Sequence, residues 1–523
     1  MVSFCLFSGR RDQHMVARRG RSIAPFIAIL VIISGAATGA FVRFKQNAAP
    51  EPVLQGGSDV AHHRLDRNSQ PPLQATEVSM LDHRSIFPLG TDDIEDTIEA
   101  PSLAVSSSGI TYLAWATKTG PQERTLMMSR SEDNGKSWAT PWKVTQSPIH
   151  VAVSEMRGRR IERHLHLLPH LATYKERLYL SWVRGGKDRS EVALLLATSD
   201  DKGETFNAPL RVHQSDQARP TFTSLAVSSE GDVACAWLDN RNDVQQCYMA
   251  VKTNELDAFM PEMLVDPGQD SRGVCPCCPT ATAFAPDRSV WVAYRGQVDG
   301  MRDVWTATWR PGDASPSAPL RANQPTWKFD GCPHDGPMLV PLQSKTAIAW
   351  MDAHQGMSRV FVNQLALNDA SKWQHGIATE IAPRFSGTQE QPCLIVEKSM
   401  KASSPKFFAA WSATAIAPDH TGASVGLDEK SSHSHATNAT SGASRAIHFA
   451  TSIDGGKTFS PAVMIAPREN AFQSRVKLAS GHHGEVFVAY FELSSEGKRL
   501  VVGRLKNTLP PSSDEPAIAG VTP

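Results

Sequence analysis

An excess of either charge is absent from this chain. Its 523 residues carry 53 Lys and Arg against 53 Asp and Glu, so no global field draws it to nucleic acid. Long helical periodicity is absent after the N-terminal segment, which argues against bundles and doubly wound α/β folds. There is no Ser-His-Asp elbow, phosphate loop or dinucleotide fingerprint, and the enzyme classes built on them lose support. Tyrosine is scarce, with six residues. What remains is a succession of short apolar strands separated by turns rich in Gly and Pro, the pattern of an all-β chain.

One long apolar run exists, at the N-terminus. Arg10, Arg11, Arg18, Arg19 and Arg21 precede an uncharged stretch from Ile23 to Val42, long enough to cross a bilayer as a helix. Positive charge ahead of the segment predicts an inside N-terminus and an exported remainder, periplasmic or on the cell surface. The run ends in small residues, Ser34 to Ala40, so the alternative to a retained anchor is a cleaved signal and a secreted protein.

Three copies of one pattern punctuate the rest. They are Ser131-Glu132-Asp133-Asn134-Gly135-Lys136-Ser137-Trp138, Ser199-Asp200-Asp201-Lys202-Gly203-Glu204-Thr205-Phe206 and Ser452-Ile453-Asp454-Gly455-Gly456-Lys457-Thr458-Phe459. The Asp accepts bonds from backbone N–H groups, Gly supplies a positive φ, and the Ser or Thr hydroxyl closes a tight turn. The final aromatic is expected on the returning strand, packed inward.

This pattern resembles the Asp box, or BNR repeat, of the sialidase-like β-propellers. In that family the box joins the third and outermost strands of a blade, on the rim away from the ligand. The resemblance implies a fold of four-stranded antiparallel blades and makes these residues structural. Second strands ending in Ala-Trp or a close variant recur, as at Tyr112–Trp115, Val233–Trp237, Ala347–Trp350 and Val486–Tyr490. Seven modules begin near residues 101, 169, 223, 279, 335, 391 and 474, with six blades as the alternative. The last module runs out after three strands, so a segment near Thr76–Phe87 is expected to supply its outer strand and close the ring. The resulting division is a cytoplasmic N-terminus with anchor or signal (1–45), a tether (46–75), the propeller (76–508) and a tail (509–523). A low-complexity insertion, about 418–444, interrupts one blade.

Propeller geometry then sorts the loops, and the unusual residues fall on the face away from the boxes. The second-to-third-strand loops carry Arg184, Asp188 and Arg189, then Asp239, Arg241 and Asp243, then Arg295, Asp299, Arg302 and Asp303, then Asp352 and His354. The inter-blade stretches carry Cys275, Cys277, Cys278, Cys332, His334 and Cys393, with His164, His166 and His170. Convergence of such loops on one rim points to a binding mouth for a small molecule, a carbohydrate or a protein.

The cysteines leave two possibilities. Cys235 and Cys247 flank Arg241 symmetrically and are expected to pair across a hairpin. The other five are either two disulfides and a spare thiol, or a thiolate site completed by His334 or His166. Soft sulfur ligands would select copper or zinc; otherwise no cofactor is implied.

In active sialidases an arginine triad clamps the substrate carboxylate, a Tyr–Glu pair is the nucleophile and an Asp the general acid/base. Arg184, Arg241, Arg295 and Arg302 match the clamp by type, and Asp188, Asp239 or Asp303 the acid. The Arg-Ile-Pro signature is missing, and no Tyr sits in an obvious nucleophile loop. Two functions therefore stand: an exported propeller binding a ligand, metal or partner at a Cys/His/Arg-rich mouth, or an exo-sialidase-type glycoside hydrolase.

Overall fold

The computed structural model describes residues 81–89, 99–156, 159–165, 167–186, 188–268, 273–343, 345–366, 378–397, 405–415 and 444–506. The apolar N-terminal segment, the tether, the tail, His166 and nearly all of the 418–444 insertion lie outside these residues. No helix among the described residues is long and apolar enough to cross a membrane.

Among the described residues every regular element but one 3₁₀ turn, Arg189–Glu191, is a strand. Five separate four-stranded antiparallel sheets span residues 102–148, 170–211, 221–266, 281–321 and 338–380. An eight-stranded sheet resolves into two further blades, because its halves join through a single parallel pair, Arg445 with Phe472. The sixth blade spans 387–464. The seventh consists of Phe472–Ser480, Val486–Ser494 and Gly497–Leu505, completed by Leu81–Pro88 from the other end of the chain.

The first strands of the blades touch in order, and Phe472–Ser480 returns to touch Ser102–Val105. That contact order is a closed ring, a seven-bladed β-propeller. The expected outer strand is present, ending at Pro88 instead of Phe87. One element was not anticipated: a hairpin, His150–Met156 with Arg159–Leu165, stands between the first and second blades. It holds His164, whereas His170 opens the second blade's first strand.

The second strands explain the recurring Ala-Trp signature. Each is covered on both faces by neighbouring blades, so its residues form continuous buried runs instead of alternating. Trp237, Trp291, Trp350 and Trp411 are almost completely buried there, with Tyr112, Tyr294 and Tyr490 in the related positions.

The boxes repeat one hydrogen-bond diagram. Ser131 Oγ donates to Asp133 Oδ1 at 2.8 Å and accepts from Gly135 N at 2.8 Å; Ser137 donates its N–H and its hydroxyl to the two Asp133 oxygens at 2.9 and 2.5 Å. The second and third boxes reproduce it with Asp201 and Thr205, and with Asp454 and Thr458. Each turn also docks on the preceding blade. Asn134 O accepts from Arg504 at 3.3 Å, Gly203 O from Trp142 Nε1 at 3.1 Å, and Gly455 O from Gln364. Gly135 has φ +80°, and a Cβ there would stand 2.8 Å from the Phe487 ring of the seventh blade. The aromatics Trp138, Phe206 and Phe459 are half-buried against inter-blade clusters, but they precede the returning strands instead of lying on them.

These bonds hold the Asp133 and Asp201 carboxyls at about 2, chiefly through the Ser137 and Thr205 hydroxyls. At Asp454 burial opposes the shift, and the Thr458 bonds still bring it to about 2. A lowered folded pKa stabilises above the unfolded value near ~4, and the contribution is lost as pH falls toward 2. Thermal unfolding of the wild type should therefore lose more between about pH 4 and 2 than that of a triple variant Asp133→Asn, Asp201→Asn, Asp454→Asn. Parallel pH profiles for the two proteins would remove the boxes from the acid response.

Candidate metal centre

Antiparallel blades put the inter-blade connections at the opposite end of the strands from the Asp boxes. Two consecutive connections, flanking the fourth blade, build the site. Cys275, Cys277 and Cys278 lie between Met263–Asp266 and Ala281–Phe284; Cys332 and His334 lie between Leu320–Arg321 and Met338–Pro341.

The two loops meet backbone to backbone. A Cβ on Gly336 would stand 2.2 Å from the Pro279 carbonyl oxygen, so only glycine permits this approach. The first loop is fastened by Cys275 N donating to Arg295 O at 2.9 Å and Thr280 N to Phe222 O at 3.1 Å. Cys275 Sγ stands 3.6 Å from Cys277 Sγ and 3.7 Å from Cys278 Sγ, all three sulfurs buried. Cys277, Cys332 and His334 form a second group, and within each group of three the ligand atoms lie within 4.8 Å of one another. Cys332 and His334 are half-buried, so the cluster reaches solvent along that edge.

Three guanidinium groups hold the second loop by its carbonyls. Arg302 Nε donates to Gly331 O at 2.9 Å, Arg475 Nη1 to His334 O at 3.1 Å, and Arg295 Nε to Asp335 O at 3.0 Å. Arg295 also donates from Nη1 to Arg302 O at 2.6 Å and from Nη2 to Met351 O at 2.8 Å, with its guanidinium over the Trp327 ring. The Arg302 Nη1 group is buried without a hydrogen-bond partner among the described residues. Asp335 anchors the loop from the other side, accepting from Gln391 N at 2.6 Å; burial raises its carboxyl to about 7.

This surrounding positive charge acts on sulfur. S–H groups of Cys277 and Cys278 hold Cys275 well below the ordinary thiol value, with Arg302 assisting. Cys332 falls to about 5 through Cys277 first and His334 after it. Burial pushes Cys277 well up and Cys278 to about 11.

The remaining sequence expectations fare unevenly. Cys393 does not join the cluster. It lies within the first strand of the sixth blade, just after a register shift, and accepts from Leu478 N at 3.2 Å in a separate apolar core. Cys235 and Cys247 do not pair: Cys235 stands opposite Ala250 and Cys247 opposite Leu238. The turn is centred beyond Arg241, so the two cysteines differ by three register positions and point to opposite faces. All seven described cysteines are free thiols in this structure.

The arginines expected to clamp a carboxylate are already engaged. Arg241 is held by Asp239 at 2.7 Å and Glu262 at 2.8 Å and stacks on Tyr248. Arg295 donates to three carbonyls, one from each nitrogen, and Arg184, an exposed side chain, donates to Glu191 O. Asp239 also accepts from Trp237 Nε1, and Asp303 accepts from Asn323 and Trp327 N; Asp188 is exposed. Tyr294 donates to Asp266 at 2.5 Å in a buried pair, and burial raises its hydroxyl far from nucleophilic use.

Two functional neighbours escaped the sequence reading. Asp335 was visible only as part of the Cys-Pro-His-Asp loop. Arg475 comes from the last module, and its one local signal is a charged residue within a first-strand pattern, Gln473-Ser474-Arg475-Val476-Lys477-Leu478.

No family model matches the chain, and no curated protein does. Among solved structures it is similar to a protein of unknown function from Dyadobacter fermentans, at 12% identity over 65% of this chain and 95% of that one, with a TM-score of 0.40. It is similar also to the α-L-arabinanase of Penicillium chrysogenum complexed with arabinobiose, at 13% identity over 82% and 98%, with a TM-score of 0.39. The NanB sialidase of Streptococcus pneumoniae follows at 10% identity over 81% and 70%, with a TM-score of 0.37. Likeness at this level carries no argument about activity, and the propeller assignment rests on strand order and ring closure.

Proposed function

We propose that this chain is an exported, sialidase-like Asp-box propeller, anchored through its apolar segment 23–42, that binds a soft metal ion through thiolates at the mouth of the ring. The observation that carries the proposal is the convergence of four thiols and one imidazole from two separately folded loops. Around an ion held at about 2.3 Å by each sulfur, neighbouring ligand atoms stand about 3.8–4.0 Å apart. The observed sulfur spacings of 3.6 and 3.7 Å need little adjustment to reach that. Thiolates with one imidazole favour Cu(I) or Zn(II) over hard cations.

The surroundings support a ligand set preorganised before the ion arrives. Guanidinium bonds to Gly331, His334 and Asp335 fix the second loop, and the glycine contact fixes its distance from the first. The half-buried Cys332–His334 edge is the route of entry. Glycoside hydrolysis through a carboxylate clamp gains no support from the mouth, where Arg241 and Arg295 already have their partners.

Elemental analysis of the chain purified under reducing conditions is expected to find near-stoichiometric copper or zinc. A Cys277→Ser variant with unchanged circular dichroism should bind at least tenfold less. Retention of the full metal content by that variant would place the ion elsewhere.

A further inference from the structure

The five donor atoms do not form one compact set. Those within 4.8 Å of one another fall into two triads, Cys275 with Cys277 and Cys278, and Cys277 with Cys332 and His334, and Cys277 alone belongs to both. A single tetrahedral ion would need four donors all within about 4 Å of each other, and no four of these meet even the wider 4.8 Å limit. Two three-coordinate ions sharing one sulfur use every donor as placed.

Charge points the same way. Arg302, Arg295 and Arg475 hold the Cys332–His334 loop by its carbonyls at Gly331, Asp335 and His334. Two of the three guanidiniums, Arg295 and Arg302, are buried, and one N–H group of Arg302 lacks a partner. Four thiolates holding two monovalent cations leave a net charge of about −2, which buried guanidiniums stabilise. Two divalent cations would leave the cluster neutral, with less negative charge for those guanidiniums to stabilise.

Building on the metal-binding reading above, we infer that the centre is binuclear, with the Cys277 thiolate bridging two monovalent d¹⁰ ions, Cu(I) in practice. One ion is completed by Cys275 and Cys278, the other by Cys332 and neutral His334. Thiols still protonated release their protons to solvent as the ions bind, and no oxidation state changes. Cys275 and Cys278 are fully buried, whereas the Cys332–His334 ion sits at the open edge. The two ions should therefore exchange at different rates, the outer one faster.

The test is an anaerobic titration of the full chain with Cu(I), competed against bicinchoninate. The expected result is two Cu(I) per chain. Cys278→Ser and His334→Ala should each hold one, and Cys277→Ser should lose high-affinity binding of both, with far-ultraviolet dichroism confirming that each variant is folded. His334→Ala guards the test, since a half-buried residue is less exposed to folding failure than a core cysteine. One Cu(I) per chain, lost equally in all three variants, would overturn the bridge while leaving a mononuclear thiolate site. Two bound zinc ions with no Cu(I) retained against the chelator would overturn the monovalent assignment. No metal at all would overturn this inference together with the proposed function.

Discussion

Removing residues 1–88 is expected to unfold the ring or drive it to aggregate, because the seventh blade then loses its outer strand. Seven register pairs tie Leu81–Pro88 to Gly497–Leu505. Leu81 is buried in the core between the sixth and seventh blades, and Phe87 stacks on Trp115 of the first blade at 5.3 Å. Burial of Leu81 and partial burial of Phe87 contribute about 2–4 kcal/mol, a large fraction of the 5–15 kcal/mol that holds a typical domain together. An unpaired edge along Gly497–Leu505 would also be free to pair with another chain. Added in trans, a synthetic peptide of residues 79–90 should restore solubility and the thermal transition. A truncated chain as stable as the parent would show that the ring does not depend on this closure.

Arg295→Met is expected to cost about 3–6 kcal/mol, because it strips the donors from three buried carbonyls at once. Each buried acceptor left unpaired costs about 1–3 kcal/mol, and the three belong to Arg302, Asp335 and Met351. They sit in different segments, so the guanidinium ties the second-to-third-strand loop of the fourth blade to the ligand loop and to the fifth blade. Arg295→Lys should recover little, because a single ammonium cannot reproduce a planar fork that faces three acceptors. Urea unfolding and metal stoichiometry, measured on the same samples, separate the two consequences: the midpoint should fall, and the variant should bind metal more weakly even where it remains folded. A loss under 1 kcal/mol with full metal content would remove Arg295 from the account.

The blades were legible because their grammar is local. A second strand covered on both faces must be apolar throughout, and a tight turn with an Asp acceptor and a positive φ has few sequence solutions, so Ala-Trp runs or close variants mark the modules and Asp boxes mark three of them. The conjunction of Cys275–Cys278 with Cys332 was legible too, since propeller topology puts successive inter-blade loops beside each other. Register was not. Cys235 and Cys247 are equidistant from Arg241 in sequence, yet the turn is centred further on, and a shift of that size changes both the distance and the face. Gln391-Pro392-Cys393 looked like a loop because Pro breaks a ladder; the strand instead continues through an irregularity at which Gln391 takes φ +57°. Arg475 reaches His334 across 141 residues of sequence, and only ring closure brings the last blade against the ligand loop.

Whether sulfur from these two loops ligates a metal can be read from X-ray absorption at the metal edge of the chain isolated from its native host. The account predicts a first shell dominated by sulfur at about 2.3 Å, with at most one nitrogen per ion at about 2.0–2.1 Å. A shell of nitrogen and oxygen alone, unchanged when Cys277 is replaced by serine, would contradict it.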